Sequence, residues 1–127
     1  MKLLLDTHAF IFFVNGDEQL SQSAKSAILD NDNIKFLSIV SVWEIAIKVS
    51  LGKLELKQPI NFLAELIEQN GFVLQEVEIA DAVLVSSLPY HHRDPFDRMM
   101  IAQAINNNFI VVTKDLFFAS YGVQTIW

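Results

Sequence analysis

Met1-Lys2-Leu3-Leu4-Leu5-Asp6-Thr7 opens the chain, and how this stretch is read decides the fold. An apolar run stops at a carboxylate. Leu3, Leu4 and Leu5 leave no polar face, which predicts a short strand buried on both sides, as inside a parallel α/β sheet. Ligands bind just beyond the carboxyl ends of such strands. Asp6 is therefore expected at the mouth of a site. Phe109-Ile110-Val111-Val112-Thr113-Lys114-Asp115 has the same grammar. Two parallel strands would bring Asp6 and Asp115 to one rim. Taken singly, each Asp reads equally well as a turn residue or a helix N-cap.

Between these strands the pattern alternates. Helices are expected over 7–14, 21–30, 41–51, 60–70, 80–87 and 95–107, with a short one near 116–120. Further strands are expected over 34–39, 72–77 and 123–126. Ser21 suits an N-cap, Gly71 a C-cap, and Pro95 the first position of its helix. Strands alternating with helices predict an α/β fold, with a mostly parallel sheet of about five strands covered on both faces. No repeat or low-complexity tract divides the chain, so residues 1–127 are read as one domain.

Composition narrows the function. Hydrophobic residues make up 52% of the chain, which also carries ten Phe and two Trp. That supports a packed core and leaves bulk for an interface. There is no cysteine, so disulfides, thiolate catalysis and thiolate zinc sites are excluded. This fits a reducing cytoplasm. No run reaches transmembrane length and no signal peptide is visible, so no membrane role is expected. Net charge is −6. That argues against a general nucleic-acid coat, which needs positive surface. It is compatible with an enzyme whose carboxylates hold a cation, and it favours a basic protein partner.

Four acids stand out. Asp97 shares a helical face with Met100, Ile101, Ala104 and Ile105, and a carboxylate on an apolar face is costly unless something pairs with it. Asp94, just before Pro95, is read as the N-cap. Asp97 at the third helical position also suits the helix dipole. Glu44 has Lys48 four residues on, the spacing of an ordinary surface pair. Yet Trp43, Ile47 and Leu51 make its helix apolar nearly all round, which points Glu44 to a cleft or interface. Asp6, Glu44, Asp97 and Asp115 gathered in one cleft would repel each other unless a cation lay between them. All-oxygen donors select Mg²⁺ or Mn²⁺, and such a set supports metal-assisted phosphoryl transfer.

Further candidates flank the acids. Thr7 and Thr113 offer hydroxyls that orient water or a carboxylate. His8 lies beside the expected site and is a candidate substrate contact. Each of His8, His91 and His92 also reads as an ordinary structural histidine, and the spacing rules out a paired-histidine zinc motif. Lys48, Arg93, Arg98 and Lys114 are candidate phosphate contacts. There is no Gly-rich phosphate loop.

Leu-Leu-Leu-Asp6-Thr-His, Ser-Val-Trp-Glu44-Ile-Ala-Ile-Lys, His-Arg-Asp-Pro-Phe-Asp97-Arg-Met-Met-Ile-Ala-Gln-Ala and Val-Val-Thr-Lys-Asp115 together resemble the PIN-domain family. More narrowly, they look like VapC-type toxins of bacterial toxin–antitoxin pairs. The resemblance spans essentially the whole chain, and the third block is its most specific part. It implies a three-layer α/β/α sandwich and a Mg²⁺- or Mn²⁺-dependent endoribonuclease acting through metal-activated water, leaving a 5′-phosphate and a 3′-hydroxyl. It assigns the metal and catalytic role to Asp6, Glu44, Asp97 and Asp115. Its register leaves Asp94 as a competitor of Asp97, and the helical-face pattern favours Asp97. It also implies RNA as substrate, a homodimer, and a cognate antitoxin whose tail covers the active site.

Two alternatives stay open. In the first, Asp6 serves as the nucleophile of a phosphatase or phospho-acceptor domain. Haloacid-type phosphatases place a second Asp two residues later, where His8 stands, and receiver domains pair acids where Thr7 stands. The second is a PIN-like binding module without chemistry, against which stands the presence of all four acids.

Overall fold

The computed structural model describes residues 1–127. Strand β1 (Lys2–Leu5) lies at its centre, and Leu3, Leu4 and Leu5 are each fully buried. Alternation along β1 divides the interior. Leu3 and Leu5 face a core built with Phe10, Ala24, Ile28, Leu37, Ile45 and Ile67. Leu4 faces the opposite one, with Met100, Ile101, Ala104, Phe109, Val111 and Phe118. Truncating any of the three leucines to alanine is expected to cost about 2–5 kcal/mol, because neither core can collapse into the void.

Five strands form the sheet in the order β3-β2-β1-β4-β5, and every neighbouring pair is parallel. The remaining strands are β2 (Ile34–Ser38), β3 (Val73–Gln75), β4 (Ile110–Val112) and β5 (Thr125–Ile126). Helices α1 (Thr7–Asn15), α2 (Gln22–Leu29) and α4 (Leu63–Gln69) supply the first core. Helices α5 (Ile79–Val85) and α6 (Pro95–Asn107) cover the second. Helix α3 (Ile39–Ser50) packs on both α1 and α6 at the rim of the sheet. The result is the expected three-layer α/β/α sandwich.

The chain runs outward from β1 through β2 to β3, then returns to the other side of β1 as β4. The crevice at that reversal, beyond the carboxyl ends of β1 and β4, is where an open α/β sheet binds ligands. In the register Leu5 lies beside Val112, so Asp6 follows beside Thr113. The Asp6 N–H donates to the Val112 carbonyl at 3.1 Å.

Several expectations need correction. Strands β3 and β5 are shorter than their apolar runs. The expected helix over 60–70 is a 3₁₀ turn (Ile60–Phe62) followed by α4, and the one near 116–120 is a 3₁₀ turn (Phe118–Tyr121). Helix α3 starts at Ile39, earlier than expected, because the Ser38 hydroxyl caps it by accepting from the Val40 N–H. Ile105 is 39% exposed, whereas Gln103 is fully buried. Helix α6 packs against α5 as well as the sheet, so its buried arc is wider than the single stripe read from sequence. Trp43 and Leu51 remain 62% and 61% exposed, so α3 is not covered all round.

Candidate active site

Asp6 ends β1 and caps α1. Its Oδ1 accepts from the Ala9 N–H at 2.8 Å, and its Oδ2 accepts from the Thr113 hydroxyl at 2.5 Å. The N-cap reading and the cleft reading are therefore both true of this residue. Thr113, at the end of β4, also accepts from the Asp115 N–H at 3.0 Å. One hydroxyl thus ties together the two strand ends that carry acids.

Asp97 sits in the first turn of α6. Asp94 is the N-cap, accepting from the N–H groups of Phe96 and Asp97 at 2.8 and 3.1 Å. Asp94 is thereby engaged by the helix, while the Asp97 carboxylate faces inward. Asp97 Oδ2 and Asp115 Oδ2 lie 2.9 and 2.8 Å from Nε2 of His92. These three residues present ligand-capable atoms within 4.8 Å of one another.

Glu44 is 3% exposed. Its Oε1 accepts from the Thr7 hydroxyl at 2.6 Å and its Oε2 from Lys48 Nζ at 2.6 Å. The Lys48 pair read from sequence is present, but its acid is buried rather than on the surface. The Thr7 hydroxyl is also 3.0 Å from Ser41 Oγ.

Asp6, His8, Asp97, Lys114 and Asp115 line a cleft of about 470 Å³, with Leu116 and Phe117 at its edge. Glu44 does not line this cleft, yet it acts on Asp97 through its charge. Burial raises the Asp97 carboxyl to about 7; Asp94 adds to the rise, His92 opposes it, and Asp6 and Glu44 contribute further. Burial likewise raises Asp6; the Thr113 hydroxyl, the Ala9 N–H and His8 oppose that rise, and Asp115 adds to it. A carboxyl titrating near neutrality among other carboxyls marks a place where negative charge is in excess. That excess, presented by oxygen donors, fits a hard divalent cation.

The flanking candidates separate. Lys114 lines the cleft with its ammonium 5.3 Å from the Phe12 ring centroid. His8 is exposed at the cleft and stacks obliquely on Phe12. Arg93 is exposed beside Asp94 and Asp115 at the outer lip. Arg98 is a correction. It is 5% exposed, and its guanidinium donates to the carbonyls of Val85, Leu88, Pro89 and His92. Both of its Nη groups are thus turned inward to loop carbonyls and away from the cleft that the acids line. His92 is the residue that sequence reasoning misses. Its position two residues before the N-cap Asp94 is the available signal, but the approach of Asp115 from beyond β4 is visible only in the fold.

A larger groove of about 740 Å³ is apolar and lined by Ile39, Trp43, Val77, Tyr90 and Phe96 among others. None of the four acids lines it.

A family model described as PIN domain matches residues 3–123. The chain belongs to the PIN-domain family. Ribonuclease VapC22 of Mycobacterium tuberculosis is 30% identical to this PIN domain over 117 residues, covering 89% of this chain and 86% of the relative. Two solved structures share its fold. VapBC2 from Rickettsia felis, bound to a DNA fragment from its promoter, superposes with a TM-score of 0.72 at 13% identity, covering 99% and 98% of the two chains. FitAcB from Neisseria gonorrhoeae gives 0.69 at 19% identity, covering 98% and 96%.

Proposed function

We propose that this PIN domain is the toxin of a toxin–antitoxin pair and an endoribonuclease dependent on Mg²⁺ or Mn²⁺. The observation that carries the reading is the convergence of Asp6, Asp97 and Asp115 on one cleft, where burial and neighbouring acids raise the Asp97 carboxyl. The likeness to ribonuclease VapC22 supports the substrate class. Asp6, Asp97 and Asp115 would hold the cation, with Glu44 completing the negative field. When bound, a divalent cation supplies a water nucleophile at neutral pH and stabilises the charge of an in-line phosphoryl displacement.

The chain's own residues prepare that event. Thr113 fixes Asp6 through its hydroxyl, and Thr7 fixes Glu44. Lys114 and Arg93 stand at the cleft and its lip, where they would meet the phosphates of an RNA strand. His8 would contact the strand from the cleft wall. Hydrolysis would leave a 5′-phosphate and a 3′-hydroxyl. The phosphatase alternative is disfavoured, because His8 stands two residues after Asp6, where haloacid-type phosphatases place their second Asp.

An acidic cleft and a net charge of −6 suit inhibition by a basic segment of a cognate antitoxin. The apolar groove around Trp43 gives a second copy a surface to cover, in keeping with a homodimer. Light scattering tests that assembly: a species of 14.4 kDa at all concentrations contradicts it. The activity is tested with purified protein, single-stranded RNA and Mn²⁺. Cleavage should fall by at least about 10²-fold with Asp6→Asn and with Asp97→Asn, and should vanish with chelator, while circular dichroism stays native. Cleavage unchanged in both variants would overturn the assignment.

A further inference from the structure

We propose that His92 is a positioning residue that holds the Asp115 carboxylate beside that of Asp97 by donating its Nε2 hydrogen to Asp115, and that it is not itself a metal ligand. This rests on the reading of those acids as metal-holding groups. The geometry around the ring carries it. Nε2 lies 2.9 Å from Asp97 Oδ2 and 2.8 Å from Asp115 Oδ2. On the other side, Nδ1 accepts from the Asp94 N–H at 3.1 Å. A nitrogen that accepts carries no proton, so the ring hydrogen is on Nε2, where it is donated to Asp115 Oδ2. A histidine that ligates a metal through Nε2 keeps its proton on Nδ1 and gives it to an acceptor. Here Nδ1 faces a donor, the opposite arrangement.

The loop carrying His92 is built to keep it there. The His92 N–H donates to Tyr121 Oη at 2.8 Å, and Tyr121 Oη donates to the Pro89 carbonyl at 2.7 Å. Arg98 pins the same loop by donating to the His92 carbonyl at 3.3 Å and the Pro89 carbonyl at 2.9 Å. Phe117 and Phe118 wall the ring edge-on, at 5.7 and 6.2 Å. The buried arginine and the tyrosine thus act on the site through the histidine. Without the hydrogen bond from Nε2, nothing would hold the Asp115 carboxylate against the like charge of Asp97, and the two would move apart.

Calorimetric titration with Mn²⁺ of the full chain and of its His92→Ala and His92→Gln variants tests this. A glutamine amide nitrogen can donate to Asp115, but its carbonyl oxygen can also ligate Mn²⁺. Ligation is therefore read separately, from the electron spin echo of Mn²⁺ bound to the wild-type chain. No directly coordinated nitrogen is expected, and a coordinated nitrogen overturns the proposal. The expected result is a loss of affinity of about 10- to 100-fold for His92→Ala, with His92→Gln recovering most of it. Two outcomes of the titration overturn the proposal while leaving the acid site standing: an unchanged affinity in His92→Ala, or a His92→Gln variant as weak as His92→Ala. A wild-type chain that takes no Mn²⁺ overturns the metal site itself, and the positioning role with it. Nitrogen-15 spectra of the wild-type ring give a test that needs no variant. They should show the proton on Nε2, and a proton on Nδ1 refutes the proposal.

Discussion

Asp81 and Asp97 both turn a carboxylate away from bulk water, one between α5 and α6 and the other in the cleft. Asp81 is 1% exposed and surrounded by donors. Its Oδ2 accepts from the Glu78 N–H at 2.9 Å, closing a capping box at the start of α5, and its Oδ1 accepts from Asn106 Nδ2 at 2.8 Å. Asp97 is less buried, yet its neighbours include Asp94, Asp6 and Glu44, and its carboxyl is held near 7. Depth alone therefore does not separate a structural acid from a site acid. What separates them is whether the surroundings supply hydrogen-bond donors or further negative charge. The first arrangement stabilises the fold; the second leaves an excess of negative charge that a proton or a bound cation would relieve.

The contrast is most exposed to challenge at Asp97. Asp97→Asn should lower RNA cleavage by about 10²- to 10³-fold, the several kcal/mol that a correctly held cation supplies. The same variant should melt at a higher temperature than the wild type without metal, because a repelled charge has been removed. A lower melting temperature would place Asp97 with Asp81.

The pH dependence of stability comes next. The Asp97 carboxyl is raised from 3.8 to about 7 in the folded chain. The folded state therefore binds more protons than the unfolded state between those values. The stability this confers is complete below about pH 4 and is lost as pH rises through about 7, amounting to a few kcal/mol. Denaturant melts of metal-free protein should show this fall for the wild type and a flatter profile for Asp97→Asn. Mn²⁺ should raise the melting temperature more at pH 8 than at pH 5, since protons compete for the same oxygens.

At Asp81 the expectation reverses. Asp81→Ala strands the Asn106 amide and the Glu78 N–H, and should destabilise the fold by about 1–3 kcal/mol. Cleavage per folded molecule should hold. A large loss of specific activity would show that α5 reaches the cleft. The smallest effect is expected at Lys48, whose side chain is 34% exposed against 4% for Glu44. Lys48→Ala should cost no more than about 1 kcal/mol in a thermal melt.

How much of this is legible in the sequence depends on the kind of signal each residue leaves. The central strand is readable because an unbroken apolar run ending at an acid fits little else, and α6 because Asp94 and Pro95 mark its start. Asp97 is readable as an acid on an apolar face. Asp81 is not, since an acid in the first turn of an amphipathic helix looks ordinary. Arg98 misleads because a charged residue beside a site acid suggests phosphate, and only the folded loop shows four carbonyls around it. His92 escapes notice because its partners come from two separate segments, and neither distance has a trace in the linear pattern.

Carboxylates at the ends of β1 and β4 and on α6 line one cleft, and the proposed chemistry requires that cleft to hold a cation. Anomalous diffraction from a crystal soaked in Mn²⁺ addresses it most directly. A peak is expected in the cleft between Asp6, Asp97 and Asp115. With the ion in excess, a peak elsewhere on the molecule or none at all contradicts it.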